Sequence, residues 1–468
     1  MAALERYFLA LGKRIAGYDR TPSDLTAALQ QEGVHIDFDE DPALIPDYCR
    51  DPERTLVVYT PAVPDTHQGM VYFRENGFKV MKRAALLGVV TAHTRGLCFA
   101  GTHGKTTTSS MAAHILHTSG IGCNAFLGGV LRNYNSNFLL SSTSPYSVIE
   151  ADEFDRSFHH LSPYVAVVTS TDPDHLDIYG TAENYLESFV HFTELIQPGG
   201  ALIVHTGLAL KPRVGENVKT YTYSRNEGDF HAEAIRKGDG EITFDLVTPW
   251  ERIADIKLGV PVDINIENAI AAMAACRLID VPADAMRDAI ATFLGAERRF
   301  QFWLKEPGCN GKVMIDDYAH HPGELRASIS SVRDLYPGRR LTVIFQPHLY
   351  TRTRDFAPEF ASALSLADEV ILLPIYPARE EPIPGVASEM ILEQVTSTKK
   401  CIYSKENLIK SIHLSNFDVL LTAGAGDIAN LLPQYAMNSR NNDSETTDSI
   451  RHSGAADGGS HRRHRLGP

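Results

Sequence analysis

The chain has 468 residues, enough for roughly two to four domains, and 43% of them are hydrophobic. Its 44 basic residues are outnumbered by 58 acidic ones, so a nucleic-acid partner held through its phosphates is not expected. The six cysteines form no Cys-x-x-Cys pair, so neither a zinc site nor a disulfide framework is predicted. No apolar run is long enough to cross a membrane. These features predict a soluble cytoplasmic protein.

The N-terminal part of the sequence predicts a first α/β unit that ends near residue 92. An amphipathic pattern over residues 1–11 predicts a helix, and apolar runs at 14–18 and 55–59 predict strands. Each run ends in turn-forming residues, which places Asp19 at the end of the first strand.

The most informative segment follows, where an apolar run at 97–100 enters a glycine turn and then a helix-compatible sequence. Gly101–Thr108 reads Gly-Thr-His-Gly-Lys-Thr-Thr-Thr. Backbone N–H groups at such a helix start face an anion, Lys105 adds a positive charge, and the Thr106 hydroxyl is placed to ligate Mg²⁺. A Gly-Lys-Thr triplet also arises by chance, and Phe99 replaces the first glycine of the general pattern. The strand-loop-helix context nevertheless favours a nucleotide-phosphate site.

A cluster of carboxylates follows the next predicted strand, at 146–149. Its sequence, residues 150–155, is Glu-Ala-Asp-Glu-Phe-Asp. Acidic turns are often only solvated, because loop carboxylates need no partner. Hard oxygen ligands are, however, what Mg²⁺ takes beside bound phosphates. Glu150, the first residue after the strand, is therefore the predicted metal ligand.

A histidine follows a further predicted strand, at 164–169. His175 is flanked by Asp174 and Asp177. A loop histidine is commonly an ordinary surface group, but these carboxylates are placed to orient it. The pattern therefore leaves three interpretations for His175: a surface group, a ligand of a second divalent ion, or a phosphate contact.

Two asparagines open a later predicted helix. Asn265 and Asn268 are three residues apart, so they share one helical face. Asparagine is a favoured N-cap, and the sequence leaves Asn265 as either a helix cap or a binding residue.

A third α/β unit begins after Gly295. Apolar runs predict its strands at 312–315, 341–345, 369–373 and 418–422. From residue 437 onward the apolar pattern stops, so 437–468 is predicted to be a disordered tail. Strands and helices alternate along nearly the whole chain, which predicts the α/β class with parallel sheets and crossover helices.

Seven short motifs occur in one order over roughly residues 1–435, and together they resemble the Mur ligase family. The motifs are Gly101–Thr108, Glu150–Glu153, Asp174–Asp177, Asn265–Asn268, Arg298–Phe300, Asp316–Pro322 and Gln346–Arg354. Within that family, the last two motifs, with Tyr376–Ala378 and Ile383–Gly385, look like the members that add L-alanine to UDP-N-acetylmuramate.

The resemblance implies a three-domain Mur ligase architecture. Residues 1–92 are expected to form a Rossmann-like domain for the UDP-sugar, and 93–296 a central ATP-binding domain with a P-loop ATPase-type parallel sheet. Residues 297–436 are expected to form a Rossmann-like C-terminal domain that contacts ATP and the amino acid. Family members open with a strand and a Gly-x-Gly-Gly-x-Gly loop. Because Met1 aligns just after that loop, the first domain is expected to be incomplete.

The activity implied by the resemblance is ATP-dependent amide synthesis in peptidoglycan precursor assembly. ATP would phosphorylate the lactyl carboxylate of UDP-N-acetylmuramate, and the amine of L-alanine would attack the acyl phosphate. This chemistry needs positioned cations, metals and backbone donors rather than a covalent protein intermediate. ATP and Mg²⁺ are the expected cofactors, no nucleic-acid or membrane partner is expected, and the oligomeric state stays open.

Residue roles follow from the matching motifs. The expected catalytic groups are Lys105, Glu150 and His175, and the expected metal ligands are Thr106, Glu150 and His175. The expected nucleotide-binding residues are Gly101, Thr102, His103, Gly104, Lys105, Thr106, Thr107, Asn265, Asn268, Arg299 and Asp317. The expected substrate-binding residues are Asp19, Tyr318, His320, His348 and Arg352. Tyrosine, histidine and arginine are also common as packed or surface residues, so the last four positions have that alternative.

Two other functions stay open at this point. One is a sister activity, either a muramate ligase that recycles a tripeptide or a folylpolyglutamate synthase. The other is a non-catalytic nucleotide-binding protein that has lost the N-terminal loop. The remains of a UDP-sugar domain and the alanine-type motifs favour the alanine-adding activity over the two sister activities.

Overall fold

The computed structural model describes residues 1–432 apart from 61, 239, 309, 379 and 413–416. The predicted tail at 437–468 lies outside these residues. The chain divides into two compact units, residues 1–297 and the residues from Arg298 onward. Both units alternate strands and helices, so the predicted α/β class is confirmed. Within the described ranges, no helix combines the length and apolar character needed to cross a bilayer.

The N-terminal region of the first unit contains four short strands and four helices. In chain order these are α1 (Ala2–Ala10), β1 (Ala16–Tyr18), α2 (Asp24–Gln31), β2 (His35–Asp37), β3 (Leu56–Tyr59), α3 (Gln68–Glu75), β4 (Lys79–Lys82) and α4 (Arg83–Ala92). β1 pairs with β2 and β3 pairs with β4, both in parallel, as two separate sheets. The predicted helix and two strands of this region are present, each shorter than predicted by one to two residues.

Helix α1 joins this region to the rest of the unit because it is apolar on more than one side. Ala2 packs into a small cluster with Val34 and Ile36. Ala3 and Leu4 belong instead to the large core of the central sheet. The N-terminal region therefore shares a hydrophobic core with the sheet that follows it.

A seven-stranded sheet forms the centre of the first unit. Its strands are β5 (Arg95–Ala100), β6 (Asn124–Leu131), β7 (Ser136–Leu139), β8 (Tyr146–Glu150), β9 (Pro163–Val168), β10 (Ala201–His205) and β11 (Lys219–Tyr223). The order is β11-β10-β9-β5-β8-β6-β7, and β7, antiparallel to β6, is the one exception to parallel pairing among these strands. The apolar run 97–100 of β5 is fully buried, as expected for a central parallel strand covered on both faces.

Helices cover this sheet, and a second small sheet adjoins it in sequence. The helices are α5 (Lys105–Thr118), α6 (Leu176–Tyr179), α7 (Ala182–Glu194), α8 (Ile264–Arg277) and α9 (Ala283–Thr292). The small antiparallel sheet is β12 (His231–Gly238), β13 (Glu241–Val247) and β14 (Arg252–Lys257). Because β8, β5 and β9 are parallel neighbours, the segments that follow them meet at one edge of the sheet.

The second unit is a six-stranded sheet with helices. Its elements are β15 (Gln301–Lys305), β16 (Val313–Asp317), α10 (Pro322–Leu335), β17 (Leu341–Phe345), α11 (Tyr350–Leu364), β18 (Glu369–Leu372), α12 (Glu389–Leu392), β19 (Lys399–Ile402), α13 (Lys405–Ile412) and β20 (Val419–Ala423). The order is β15-β16-β20-β17-β18-β19, with β15 antiparallel to β16. All four predicted strands are present, within one or two residues at each end. The segments after β16, β20 and β17 meet at one edge.

Candidate active site

The glycine loop lies between β5 and α5, as the sequence predicted. Gly101 and Gly104 have φ of +143° and +82°, conformations that other residues rarely adopt. A Cβ at Gly101 would collide with the Thr169 hydroxyl, and one at Gly104 would lie 2.9 Å from Asn268 Oδ1. Both glycines are therefore required by the close packing of the loop. The loop leads straight into the first turn of a 14-residue helix, where backbone N–H groups face an anion.

The segment after β9 is joined to the glycine loop by hydrogen bonds. The Thr102 hydroxyl donates to the carbonyl of Asp172 at 2.7 Å and lies 2.8 Å from the Tyr185 hydroxyl. The His103 N–H donates to Ser170 Oγ at 2.8 Å. Tyr185 and Ser170 were not predicted from the sequence, because neither lies in a recognisable pattern with the glycine loop.

Lys105 is held inside the loop by a carboxylate that sequence reasoning did not assign. Its Nζ lies 2.9 and 2.8 Å from the two carboxylate oxygens of Glu153 and donates to the Gly101 carbonyl at 2.6 Å. The Glu153 side chain is 2% exposed and the Lys105 side chain 13%. Glu153 lies in the acidic cluster after β8, so its motif was visible, but its partner was not.

Thr106 and Glu150 form the pair predicted to bind a metal. The Thr106 hydroxyl donates to Glu150 Oε1 at 3.0 Å, and the Gly128 N–H donates to Oε2 at 2.9 Å. Burial raises the pKa of Glu150, opposed by the Thr106 hydrogen bond and the nearby charge of Lys105. A Cβ at Gly128 would collide with the Glu150 carboxylate, so this strand must carry glycine there.

His175 contacts residues other than Thr106 and Glu150. Its ring packs edge-on against Phe154, with centroids 5.1 Å apart, and its Nε2 lies 3.7 Å from Asp174 Oδ2. Within the described ranges no hydrogen bond or ion pair joins His175 to Glu150 or Thr106. Among the same residues no group of three or more His, Cys, Asp or Glu side chains is placed to hold a metal. His175 as a metal ligand stays a prediction.

Asn265 and Asn268 lie side by side under the loop. The Asn268 amide donates to Asn265 Oδ1 at 2.9 Å, and the Asn265 amide donates to the Val260 carbonyl at 3.0 Å. The Thr108 hydroxyl donates to Asn268 Oδ1 at 3.2 Å, which ties α8 to α5. The alternative that Asn265 caps its helix is wrong, because α8 begins at Ile264 and the residue before it is Asp263.

Asp19 ends β1, as predicted. It accepts a hydrogen bond from the Thr21 N–H at 3.1 Å, and its own N–H bonds the Asp37 carbonyl at 3.1 Å. These contacts shape the turn after β1, and a substrate role for Asp19 stays a prediction.

In the second unit, the end of β16 carries two neighbouring acidic residues, of which Asp316 is buried and Asp317 is half-buried. Asp316 is fully buried, accepts from the Thr422 hydroxyl at 2.7 Å and lies 3.4 Å from Arg298 Nε. Asp317 accepts from the Phe300 N–H at 3.3 Å. Burial raises the pKa of Asp317 to about 6, opposed by hydrogen bonding and by the charge of Arg299.

A row of aromatic and basic side chains continues from this pair. The Arg299 guanidinium lies 5.7 Å from the Tyr318 ring, and Tyr318 packs edge-on against His320 with centroids 5.2 Å apart. The His320 and His348 rings are 6.1 Å apart, and Arg352 Nη1 lies 3.5 Å from His348 Nδ1. Burial lowers the pKa of both histidines, and the charge of Arg352 lowers it further. The structure thus brings together Tyr318, His320, His348 and Arg352, as the sequence predicted.

A glutamine holds the end of β17 in place, and sequence reasoning assigned it no role of its own. Gln346 Oε1 accepts from the Ile428 N–H at 3.0 Å, and its Nε2 donates to Asp427 at 3.0 Å. A Cβ at Gly424 would collide with the Gln346 carbonyl, so the segment after β20 lies close against it. This packing fixes the backbone that presents His348.

Comparison with known proteins matches three family models in succession. They are described as Mur ligase family, catalytic domain, over residues 1–95, Mur ligase middle domain over 99–276, and Mur ligase, glutamate ligase domain over 298–426. A protein of Phocaeicola vulgatus named UDP-N-acetylmuramate--L-alanine ligase is 58% identical over 436 residues, 93% of this chain and 94% of that protein. The chain belongs to the Mur ligase family.

Two further similarities extend over nearly the whole Mur ligase chain. A protein of Parabacteroides distasonis, also named UDP-N-acetylmuramate--L-alanine ligase, is 59% identical over 433 residues, 92% of this chain and 93% of its own. The crystal structure of the UDP-N-acetylmuramate-alanine ligase of Thermotoga maritima superposes with a TM-score of 0.76 at 25% identity, covering 94% of this chain and 97% of that one. The predicted three-domain Mur ligase architecture is therefore confirmed.

Proposed function

We propose that this chain is an ATP-dependent, ADP-forming ligase that joins L-alanine to the lactyl carboxylate of UDP-N-acetylmuramate, through an acyl phosphate. The observation that carries the proposal is the near-full-length similarity to relatives that are named UDP-N-acetylmuramate--L-alanine ligase. The product would enter peptidoglycan precursor synthesis.

The glycine loop fits a nucleoside triphosphate on the geometry of the chain itself. Gly101 and Gly104 have no side chain in the turn that leads into α5, and Lys105 brings a positive charge to the same place. The Thr106 hydroxyl and the Glu150 carboxylate are hard oxygen donors 3.0 Å apart, which is the donor type that Mg²⁺ takes beside phosphate oxygens and water. When bound, Mg-ATP supplies the phosphoryl group that activates the substrate carboxylate.

The residues of the first unit position and neutralise charge. Lys105 offsets negative charge on the transferred phosphoryl group, and Thr106 and Glu150 hold the metal. His175 is the proposed ligand of a second metal. Asn268, with its partner Asn265, is buried beside the loop and takes part in nucleotide binding.

The residues of the second unit have the chemistry to bind an amino acid. Arg352 offers a planar pair of N–H donors, which suits the carboxylate of alanine in a bidentate grip. His348 and His320 lie in the same row, and burial lowers the pKa of both, which favours their neutral imidazole form. Arg299 and Asp317 are the proposed nucleotide contacts of this unit.

Each part of the chain takes one substrate in this proposal. Residues 1–92, with Asp19, bind the UDP-sugar, residues 93–296 bind ATP, and residues 297–436 bind alanine and contact ATP.

The test is ADP release measured with each substrate omitted in turn. The proposal expects release that requires both UDP-N-acetylmuramate and L-alanine. A recycling muramate ligase would accept a tripeptide in place of alanine, and a folylpolyglutamate synthase would need a folate and glutamate instead. Nucleotide binding without turnover in any mixture would mean that the chain is non-catalytic, and the proposal would be wrong.

A further inference from the structure

The ammonium of Lys105 has its hydrogen-bonding capacity filled by the chain itself. Its Nζ donates to the Gly101 carbonyl at 2.6 Å, pairs with the Glu153 carboxylate at 2.8–2.9 Å, and lies 3.5 Å from the Thr102 carbonyl. An ammonium group has three N–H donors. A phosphate that binds Lys105 must therefore displace at least one of these partners.

Among the partners of Lys105, Glu153 depends most on the contact. Its side chain is 2% exposed, and within the described ranges Lys105 supplies its one ion pair. A buried carboxylate without a counter-charge is strongly destabilised. The contact is therefore mutual: Lys105 provides the counter-charge of the buried Glu153 carboxylate, and Glu153 holds the Lys105 ammonium beside the loop.

The backbone at Glu153 is held in place by side chains of other segments. The Tyr179 hydroxyl donates to the Glu153 carbonyl at 2.5 Å, and Ser188 Oγ donates in turn to the Tyr179 hydroxyl at 3.3 Å. Asp155 and Arg156, two and three residues after Glu153, have positive φ values of 46° and 62°. The turn is thus sharply defined immediately after Glu153.

The two glutamates of this motif have different partners. Glu150 contacts the Thr106 hydroxyl and the Gly128 N–H, whereas Glu153 contacts Lys105. The first glutamate is placed for a metal and the second for the lysine.

We propose that Glu153 is a positioning residue that competes with nucleotide phosphates for Lys105. Glu153 holds the Lys105 ammonium in an ion pair beside the loop, and nucleotide binding must weaken that ion pair before the lysine reaches phosphate. The proposal rests on the proposed function in one respect, because it needs Lys105 to contact phosphate. Its consequence is that Glu153 lowers the affinity of the loop for nucleotide.

The experiment is calorimetric titration of ADP, with EDTA present so that no divalent metal contributes, into the full chain and its variants. Glu153→Gln keeps the size of the side chain and removes the charge. We expect it to bind ADP about tenfold more tightly than the parent chain, a change of about 1.4 kcal/mol. Lys105→Ala is expected to bind ADP more weakly than the parent.

Asp152→Asn is the matched control. It removes one negative charge from the neighbouring position, but Asp152 is exposed and its carboxylate accepts from the Phe154 N–H rather than from Lys105. We expect less than about a twofold change in ADP affinity, because an exposed charge is screened by solvent. An equal gain in both variants would mean that general charge, not competition for Lys105, sets the affinity, and the proposal would be overturned.

A purely structural role for Glu153 predicts a different result. Glu153→Gln would then lower the melting temperature and leave ADP affinity unchanged or weaker, which overturns the proposal. Glu153→Asp covers the case in which the glutamine variant does not fold, because it keeps the charge but lengthens the ion pair. It is expected to bind ADP with an affinity between those of the parent and the glutamine variant, and parent-like or weaker binding would count against competition.

The outcomes separate this proposal from the proposed function. If the parent chain binds ADP and the Glu153→Gln variant binds it no more tightly, only the proposed competition is overturned. If neither the parent chain nor the Glu153→Gln variant binds ADP, both the proposed competition and the proposed nucleotide site are overturned.

Discussion

The glycine loop of the first unit and the basic row of the second unit hold their cations in opposite ways. Lys105 is paired with a buried carboxylate, and a second carboxylate, Glu150, lies on the neighbouring Thr106. In the described part of the second unit, by contrast, no carboxylate lies within ion-pair distance of Arg352, whose near polar neighbour is His348. Hard carboxylate oxygens suit a metal-nucleotide, whereas an unpaired guanidinium suits the carboxylate of a small amino acid.

The largest expected effect comes from removing the paired cation. Lys105→Ala should lower ligation by at least about 100-fold, because the lost charge stabilises the transition state. It should also lower the melting temperature, since Glu153 is left buried without its partner. The measurements are steady-state ADP release and thermal unfolding.

A second substitution separates these two effects of Lys105. The double variant Lys105→Ala with Glu153→Gln should regain much of the melting temperature but none of the turnover. Turnover above a few per cent of the parent in either variant would remove Lys105 from the catalytic residues.

Removing the unpaired cation should change the use of one substrate only. Arg352→Ala should raise the KM for L-alanine by about 10- to 100-fold and leave the KM for ATP within about twofold, because its proposed contact is with the amino acid. His348→Ala should act in the same direction. The measurement is initial rate against each substrate in turn.

Arg354→Ala is the matched control for Arg352. It lies on the same helix, but its guanidinium is paired with Asp355 and half exposed. Both kinetic constants should stay near those of the parent. Equal increases in KM for alanine and ATP in Arg352→Ala would place Arg352 outside an amino-acid pocket.

A smaller effect is expected from replacing Asp317, at the end of β16 in the second unit. Burial raises the pKa of Asp317 from an ordinary 3.8 to about 6, so folding favours its protonated form. The contribution of this group to stability therefore falls as pH rises from about 4 through about 6. Asp317→Asn, which stays neutral, should gain melting temperature relative to the parent at pH 7.5 but not at pH 4.5. Thermal unfolding at the two pH values checks this, and a pH-independent difference would contradict the raised pKa.

The smallest effect is expected for an ion pair outside both regions. His205 Nε2 lies 3.4 Å from Glu267 Oε1, which raises the pKa of His205 and lowers that of Glu267. The raised histidine pKa gives stability that is present below its ordinary 6.5 and is lost as pH rises past its folded value. The lowered glutamate pKa gives stability that is present above its ordinary 4.5 and is lost as pH falls.

The pair should therefore contribute most between these two ordinary values. Glu267→Gln should lower the melting temperature by about 1–3 °C near pH 5.5 and by less near pH 8.5. A loss that is larger at the higher pH would show that this ion pair does not titrate as its geometry indicates.

Sequence patterns alone located nine of the twenty described strands and the glycine loop, because these depend on local order. The fully apolar run before Gly101 and the exact match of predicted and observed strand 341–345 are examples. Short strands with weak alternation, such as β2 and β4, were not predicted, because their pairing partners rather than their own residues make them strands. Thr106 and Glu150 were each predicted as metal ligands from their motifs, and the structure places their side-chain oxygens 3.0 Å apart.

The sequence by itself determined the fold class, the family and the residues of the two polar regions, since motif order and periodicity are properties of the chain. Only the tertiary structure decided how each charge is neutralised. Glu153 and Lys105 are 48 positions apart, and nothing local shows that one buries its carboxylate against the other. Likewise, the hydrogen bond between Thr108 and Asn268 and the one between Ile428 and Gln346 connect segments distant in sequence. A buried polar group without a partner is costly in the low-dielectric interior. Its partner can lie anywhere along the chain, so three-dimensional packing decides which residue pairs with it.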